Sequence, residues 1–266
     1  MITNHRKKDY RKMKITVIGA GNMGGALVKG WAKAVREGKA ALEVTATART
    51  EARLKPLKAE YPEVNIMTDN RKAAAGADVL VMAVKPWLLD EVLSDMNDVI
   101  GKDCLVLSVA ANVTHPRVDV YAMPNIAAEY GQSMTFVRNT DASGKEALDQ
   151  AVELLELVGR VMSVDAKQMQ AGNMMAGCGI AYVMRMVRAM MEGGVEMGLY
   201  PSVAQQVAMQ TMLGAVTVLE ESGLHPEVAI DKVTTAGGLT IKGLNELDHA
   251  GFNSAVIRCL KAGLKN

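Results

Sequence analysis

"MKITVIGAGNMGGALVKGWAKAV", residues 13–35, decides the fold. Its first part, "KITVIG", is a β-branched run of strand type, and "NMGGALVKGWAKAV" has the spacing of a helix. Between them Gly19, Gly21 and Gly24 stand in G-x-G-x-x-G spacing. In that context Gly19 permits a tight turn, Gly21 lets a pyrophosphate approach the backbone, and Gly24 lets helix and strand pack closely. The N–H groups that open the helix, from Asn22 and Met23 onward, then supply anion binding. The stretch reads as a dinucleotide-binding strand–loop–helix; a plain tight turn is the bland alternative.

The same alternation continues outward from this unit. "LEVTATA" (42–48), "VLVMAV" (79–84), "CLVLSVA" (104–110) and "RVMSV" (160–164) read as further strands, and "KEALDQAVELLELVG" (145–159) as a helix. Ser143 and Glu146 have the S-x-x-E spacing of a capping box ahead of that helix. Strands alternating with helices imply βαβ units and a largely parallel, doubly wound sheet, an α/β fold. After Asp165 the strand runs stop. Val183, Val187, Met191 and Val195 form an apolar helical stripe, and Arg185, Arg188, Glu192 and Glu196 a charged one. Nine of the 19 methionines fall between Met162 and Met197, a composition of adaptable core or interface. The expected organisation is a loose tail at 1–12, a dinucleotide-binding domain at 13–165 and an all-helical domain at 166–266.

Bulk composition excludes several classes. The chain has 266 residues, 49% hydrophobic and 22% charged, with a formal net charge of +1. A near-neutral balance argues against a nucleic-acid protein. No apolar run reaches the length of a bilayer span, and the charged start "MITNHRKKDYRKMK" lacks the apolar centre of a secretory signal. Three separated cysteines (Cys104, Cys178, Cys259), with no C-x-x-C, point to reduced thiols in a cytoplasmic protein. The four histidines have no metal-ligand spacing, so no metal is expected.

The end of the second strand bears on the cofactor. An NAD site wants an acid there, whereas "TATARTEAR" (45–53) offers Ala48, Arg49, Thr50 and Arg53, with Glu51 past the strand end. A guanidinium suits a 2′-phosphate, and a hydrogen bond to a charged group contributes about 1.5–3 kcal/mol. NADPH is therefore expected over NADH; otherwise Arg49 and Arg53 are only a solvated helix start. "AVKP" (Ala83, Val84, Lys85, Pro86) and "SVAA" (108–111) follow two other strands, where such folds place their ligand crevice. Lys85 faces phosphate or nicotinamide ribose, or is a surface lysine before a proline turn.

Taken in order, "IGAGNMGGAL", "AVKP", "YAMPN", "CGIAY", "GGVEMGL" and "VTTAGGLTIKGL" make the chain resemble pyrroline-5-carboxylate reductases from Met13 to its end. The resemblance implies a Rossmann-type domain and a helical dimerisation domain that intertwines with a second copy, giving a homodimer or higher homo-oligomer. It implies reduction of the ring imine of 1-pyrroline-5-carboxylate to proline with NAD(P)H. By resemblance, Gly19 to Gly24 hold pyrophosphate, and Arg49, Thr50 and Asn70 meet the adenosine end. Ala83 to Pro86 and Ala110 line the nicotinamide side, and Asn125 sits where cofactor and substrate join. The family loop S-P-G-G-x-T binds the substrate carboxylate, and Thr235, Gly237, Gly238 and Thr240 occupy its positions. The Thr240 hydroxyl is placed to donate to the ring nitrogen or to orient a water toward it.

The departures cluster at the substrate end. "QAGNMMAGCGIAY" (170–182) stands where the family reads D-A-V-T-A-L-S-G-S-G-P-A-Y, which changes Gln170, Asn173, Ala176, Cys178 and Ile180. Thr235–Ala236 replaces Ser-Pro, and Arg188 sits where glutamate is common. Two other readings stay open: an NADP-dependent reductase of another imine or of a keto or hydroxy acid, and a regulator that binds NADPH without turnover. A β-hydroxyacid dehydrogenase wants K-x-x-N-N, and Lys167 is followed instead by "QMQAGNMM".

Overall fold

The computed structural model describes residues 12–111, 113–140 and 143–264. Residues 1–11 of the expected tail lie outside them. By packing, the chain divides into two units, one ending at Gly177 and one beginning at Cys178.

In the first unit eight strands form one sheet. They are β1 (Met13–Ile18), β2 (Leu42–Thr47), β3 (Asn65–Met67), β4 (Val79–Met82), β5 (Leu105–Ser108), β6 (Val120–Met123), β7 (Ser133–Asn139) and β8 (Gly159–Ser163). Their order is β3-β2-β1-β4-β5-β6-β7-β8. Neighbours from β3 to β6 pair in parallel, β7 runs antiparallel to β6, and β8 is parallel to β7. The unit also holds α1 (Asn22–Arg36), α2 (Glu51–Glu60), α3 (Asn70–Ala74), α4 (Leu89–Met96), α5 (Lys145–Glu156) and α6 (Ala166–Gly172).

Strands β4, β5 and β6 are buried at every position, as a parallel sheet covered on both faces requires. One face carries Leu27 and Trp31 of α1, Leu54 of α2 and Leu154 and Leu155 of α5 against Ile15, Val17, Val79 and Val81. The other carries Leu89, Leu93 and Met96 of α4 and Met169 of α6 against Ile18, Leu80 and Met82. Each such side chain, once fully buried, contributes about 1.5–3 kcal/mol. The polar tip of buried Trp31 is satisfied, its Nε1–H donating to the Leu154 carbonyl at 2.9 Å.

Three strands were not anticipated from the sequence, each for a physical reason. β3 is a three-residue edge strand. β6 is a four-residue apolar run without a period. β7 turns Ser133 and Thr135 inward, so its alternation is invisible to hydrophobicity. Ser143 does not cap α5 either. Gly144 is the N-cap, and the Ser143 hydroxyl donates to the Asp119 carbonyl at 2.6 Å. A capping box does form at α6, where Asp165 accepts from the Gln168 N–H at 2.7 Å and Gln168 returns the bond at 3.3 Å. A π-helical stretch, Asn173–Cys178, follows α6.

The second unit is helical: α7 (Gly179–Glu196), α8 (Pro201–Ser222), α9 (Pro226–Lys232), α10 (Leu239–His249) and α11 (Phe252–Lys261). Pro201 and Pro226 start their helices in the first turn, where no N–H is needed. Helices α7 and α8 cross closely, since a Cβ on Gly194 would lie 3.1 Å from that of Ala204. Many apolar side chains of this unit face outward: Val183 is 50% exposed, Leu213 60% and Val218 55%. Among the described residues no helix is long and apolar enough to cross a membrane.

Candidate active site

The order β3-β2-β1-β4 reverses between β1 and β4, and doubly wound sheets bind ligands at that switch, beyond the strands' carboxyl ends. A crevice of about 640 Å³ opens there. Of the expected cofactor residues, Gly19, Gly21, Asn22, Met23, Arg49, Asn70, Ala83, Val84, Lys85, Pro86 and Ala110 line it. Gly24 lies behind the loop and Thr50 is the exposed N-cap of α2; both stand outside the lining.

The glycines have distinct physical roles. Gly19 has φ +96°, and a Cβ on it would meet the Ala83 carbonyl oxygen at 2.9 Å. This contact seats the glycine loop on "AVKP". A Cβ on Gly24 would strike the Gly19 carbonyl and come within 2.9 Å of the Ala83 Cβ, so α1 packs directly on the loop. Around Gly21 a Cβ would meet nothing within 4 Å. The first helical bond of α1 runs from Gly25 N–H to the Gly21 carbonyl at 2.7 Å, and no side chain caps this end. The N–H groups of Asn22, Met23 and Gly24 therefore precede the intrahelical ladder and are open to an anion.

Thr47, at the end of β2, was missed from the sequence because it reads as one more strand residue. Its carbonyl accepts from Ala20 N–H at 2.6 Å and its hydroxyl oxygen from Gly19 N–H at 3.2 Å. The same hydroxyl lies 2.7 Å from Asn70 Oδ1. Among the described residues the lining contains Arg49, Arg53 and Lys85 and no carboxylate. That charge balance, with the uncapped helix start, fits a polyanionic dinucleotide. Lys29, about two turns along α1 and outside the lining, is held by Glu60 and Glu129, each at 3.0 Å. Its pKa is raised, chiefly by the hydrogen bond to Glu129.

Asn125 is buried at the end of β6. Its Oδ1 accepts from Ala127 N–H at 3.0 Å, and its Nδ2–H donates to the Ala176 carbonyl of the π-helical stretch at 3.2 Å. Its own N–H donates to Ser133 Oγ at 3.0 Å. The side chain thus ties a turn to the π-helical stretch and stands outside the crevice lining.

The loop with Thr235, Gly237, Gly238 and Thr240 belongs to the second unit. Gly237 has φ +70°, and Gly238 is the N-cap of α10, its N–H donating to the Thr235 carbonyl at 3.0 Å. A Cβ on Gly238 would sit 2.6 Å from Thr235 Oγ1 and 3.0 Å from its carbonyl oxygen, so any larger residue there would have to displace Thr235. Thr235 and Thr240 are exposed, with Thr240 in the uncapped first turn of α10. Cys178 begins the second unit and is half-buried, as is Cys259. Burial pushes the Cys104 thiol up to about 11.

Comparison with known proteins agrees with both units. Residues 166–266 match the family model for pyrroline-5-carboxylate reductase dimerisation, and residues 14–112 match that for NADP oxidoreductase, coenzyme F420-dependent. The chain is 35% identical over 261 residues to pyrroline-5-carboxylate reductase of Methanosarcina acetivorans, covering 92% of this chain and 94% of that one. It is 33% identical over 264 residues to pyrroline-5-carboxylate reductase 1 of Dictyostelium discoideum, covering 92% of this chain and 47% of that longer one. Among solved structures, a pyrroline-5-carboxylate reductase from Coxiella burnetii superposes with TM-score 0.81 at 28% identity, over 95% of this chain and 96% of that one. The NADP-bound pyrroline carboxylate reductase of Plasmodium falciparum shares the fold, with TM-score 0.82 at 22% identity over 94% and 95% of the two chains. By sequence along nearly its whole length and by fold, this chain belongs to the pyrroline-5-carboxylate reductase family.

Proposed function

We propose that the chain reduces the ring imine of 1-pyrroline-5-carboxylate to proline with a reduced nicotinamide dinucleotide. The observation that carries this reading is 35% identity to the Methanosarcina acetivorans reductase of that name over 94% of its length. The carboxylate-free crevice at the sheet's switch point supports the cofactor half of the reading. In this reading residues 13–165 hold the dinucleotide, and residues 166–266 hold the substrate and pair with a second copy. The exposed apolar side chains of α7 and α8 support the pairing. Three free cysteines, with no disulfide among the described residues, suit a reducing cytoplasm.

When bound, the nicotinamide supplies the hydride. The N–H groups of Asn22 to Gly24 hold the pyrophosphate, while Arg49, Thr50 and Asn70 meet the adenosine end. NADPH is preferred because Arg49 and Arg53, whose guanidinium groups make no hydrogen bond or ion pair among the described residues, answer a 2′-phosphate where an NAD site would present an acid. The lining from Ala83 to Pro86, with Ala110, meets the nicotinamide half. The glycine turn presents the N–H groups that open α10, which no side chain caps, to the substrate carboxylate, and the Thr240 hydroxyl faces the ring nitrogen. An imine bound as its cation needs no general acid for the hydride step, so the residues contribute mainly proximity and orientation, worth about 7–11 kcal/mol at most.

The test is loss of NADPH absorbance on adding 1-pyrroline-5-carboxylate, beside the 2-carboxylate isomer and the six-membered-ring imine. Turnover of the five-membered 5-carboxylate well above the others is expected. Preference for another imine or a keto acid would reassign the substrate, and binding without any oxidation would make the chain a regulator.

A further inference from the structure

We infer that Thr47 is a positioning residue that fixes the Asn70 side-chain amide as a hydrogen-bond donor toward the crevice; this rests on the dinucleotide reading above. A threonine hydroxyl has one proton and two acceptor sites. Thr47 Oγ1 accepts from Gly19 N–H at 3.2 Å and lies 2.7 Å from the Asn70 amide. Thr47 is 0% exposed, so solvent does not take its proton. That proton goes to Asn70, and the amide must turn its oxygen inward to accept it. The reverse amide would press two N–H groups against a hydroxyl whose own proton then had no acceptor in a buried site. Asn70 lines the crevice, and its Nδ2 end, turned away from Thr47, is thus left to donate to a ligand there.

The residue does more than aim one amide. Its carbonyl also holds Ala20 N–H, at 2.6 Å, so one strand-end residue ties the phosphate-facing glycine loop and the Asn70 amide into a single frame. The ligand feature read by Asn70 is a hydrogen-bond acceptor on the adenosine half of the dinucleotide.

The experiment measures binding of NADPH and of 2′,5′-ADP by calorimetry to the wild type, Asn70→Ala, Thr47→Val, Thr47→Ser and the Thr47→Val/Asn70→Ala double variant. It also records the Asn70 side-chain amide resonances of the ligand-free proteins. A neutral hydrogen bond corresponds to roughly a 2- to 13-fold change in affinity. Asn70→Ala and Thr47→Val should each weaken binding by that much. In the Thr47→Val background Asn70→Ala should add less than about twofold, and Thr47→Ser should restore wild-type binding. The Asn70 amide resonances should shift in Thr47→Val and stay in place in Thr47→Ser. Fully additive losses, or unshifted resonances in Thr47→Val, would overturn the inference while leaving the dinucleotide reading standing. Shifted resonances with unchanged binding in Asn70→Ala would keep the amide orientation and remove its ligand. If Thr47→Val does not fold, Asn70→Asp carries the test. It still accepts from Thr47 but cannot donate, and wild-type affinity in that variant would refute the donor role.

Discussion

Replacing Gly21 with Ala, and separately Gly24 with Ala, should split folding stability from dinucleotide binding. At Gly21 the backbone is extended, with φ −81°, and an added Cβ meets nothing within 4 Å. Ala is a poorer N-cap than Gly by about 0.5–1 kcal/mol. The loss of unfolded-state freedom returns about 0.4–1 kcal/mol. Stability should therefore stay within about 0.5 kcal/mol of the wild type. The new methyl nonetheless enters the space a pyrophosphate needs. Pushing the phosphate off one N–H forfeits a charge-assisted bond of about 1.5–3 kcal/mol, which weakens NADPH binding by about 10- to 150-fold.

At Gly24 the new Cβ would stand 2.9 Å from the Ala83 Cβ, and nearer still to the Gly19 carbonyl oxygen. Carbon atoms settle at about 3.5–4.0 Å, so the first turn of α1 must retreat by about 0.6–1.1 Å. Such overpacking costs about 1–3 kcal/mol, partly offset by the roughly 0.5–1 kcal/mol that Ala gains over Gly inside a helix. The melting temperature should fall by about 2–4 °C per kcal/mol lost, and binding should fall with it. Thermal melts paired with NADPH titrations read both quantities. Wild-type affinity in Gly21→Ala would refute the pyrophosphate placement. An unchanged melt and affinity in Gly24→Ala would refute the close packing of α1 on the loop.

Arg49→Asp should lower the NADPH/NADH ratio of kcat/KM by about tenfold, the low end for a charged hydrogen bond because this guanidinium is exposed; an unchanged ratio would remove Arg49 from the phosphate site. Thr240→Val should reduce kcat/KM for the imine by about 10- to 150-fold, the range for losing a hydrogen bond to a charged group, and leave NADPH affinity within about twofold. Equal losses in both would return the loop to a structural role. With its pKa raised to about 11 by burial, the Cys104 thiol stays protonated at pH 8, so an aromatic disulfide reagent should titrate Cys178 and Cys259 in the native protein and Cys104 only after unfolding. Rapid native labelling of Cys104 would contradict its placement beneath the sheet.

Part of this molecule is legible from local chemistry. G-x-G-x-x-G between a strand run and a helix run sufficed for the loop, because each glycine answers a constraint set within a few residues. The strands β1, β2, β4, β5 and β8 were readable from β-branched runs, and α1 and α5 from their period. β7 escaped because two of its three inward residues are Ser133 and Thr135, beside Val137, and their burial is made tolerable by a hydrogen bond that hydrophobicity does not report. Ser143 has the spacing of a cap but spends its hydroxyl on Asp119, 24 positions away.

The sequence by itself determined the βαβ start, the change to helices after residue 165, the absence of an acid at the end of β2 and the family motifs, because each depends on residue type and short spacing. Only the tertiary structure decided what joins across long separations. Gly19 meets Ala83 because β1 and β4 are neighbours in the sheet, and Thr47 reaches both Gly19 and Asn70 because β2 ends beside them. The resemblance places Asn125 where cofactor and substrate join; the fold adds that its oxygen accepts from Ala127 N–H and one of its N–H groups donates to the Ala176 carbonyl. Directional bonds between residues far apart in the chain leave no periodic trace in the sequence, so the partner of each donor is known only once the sheet order is known.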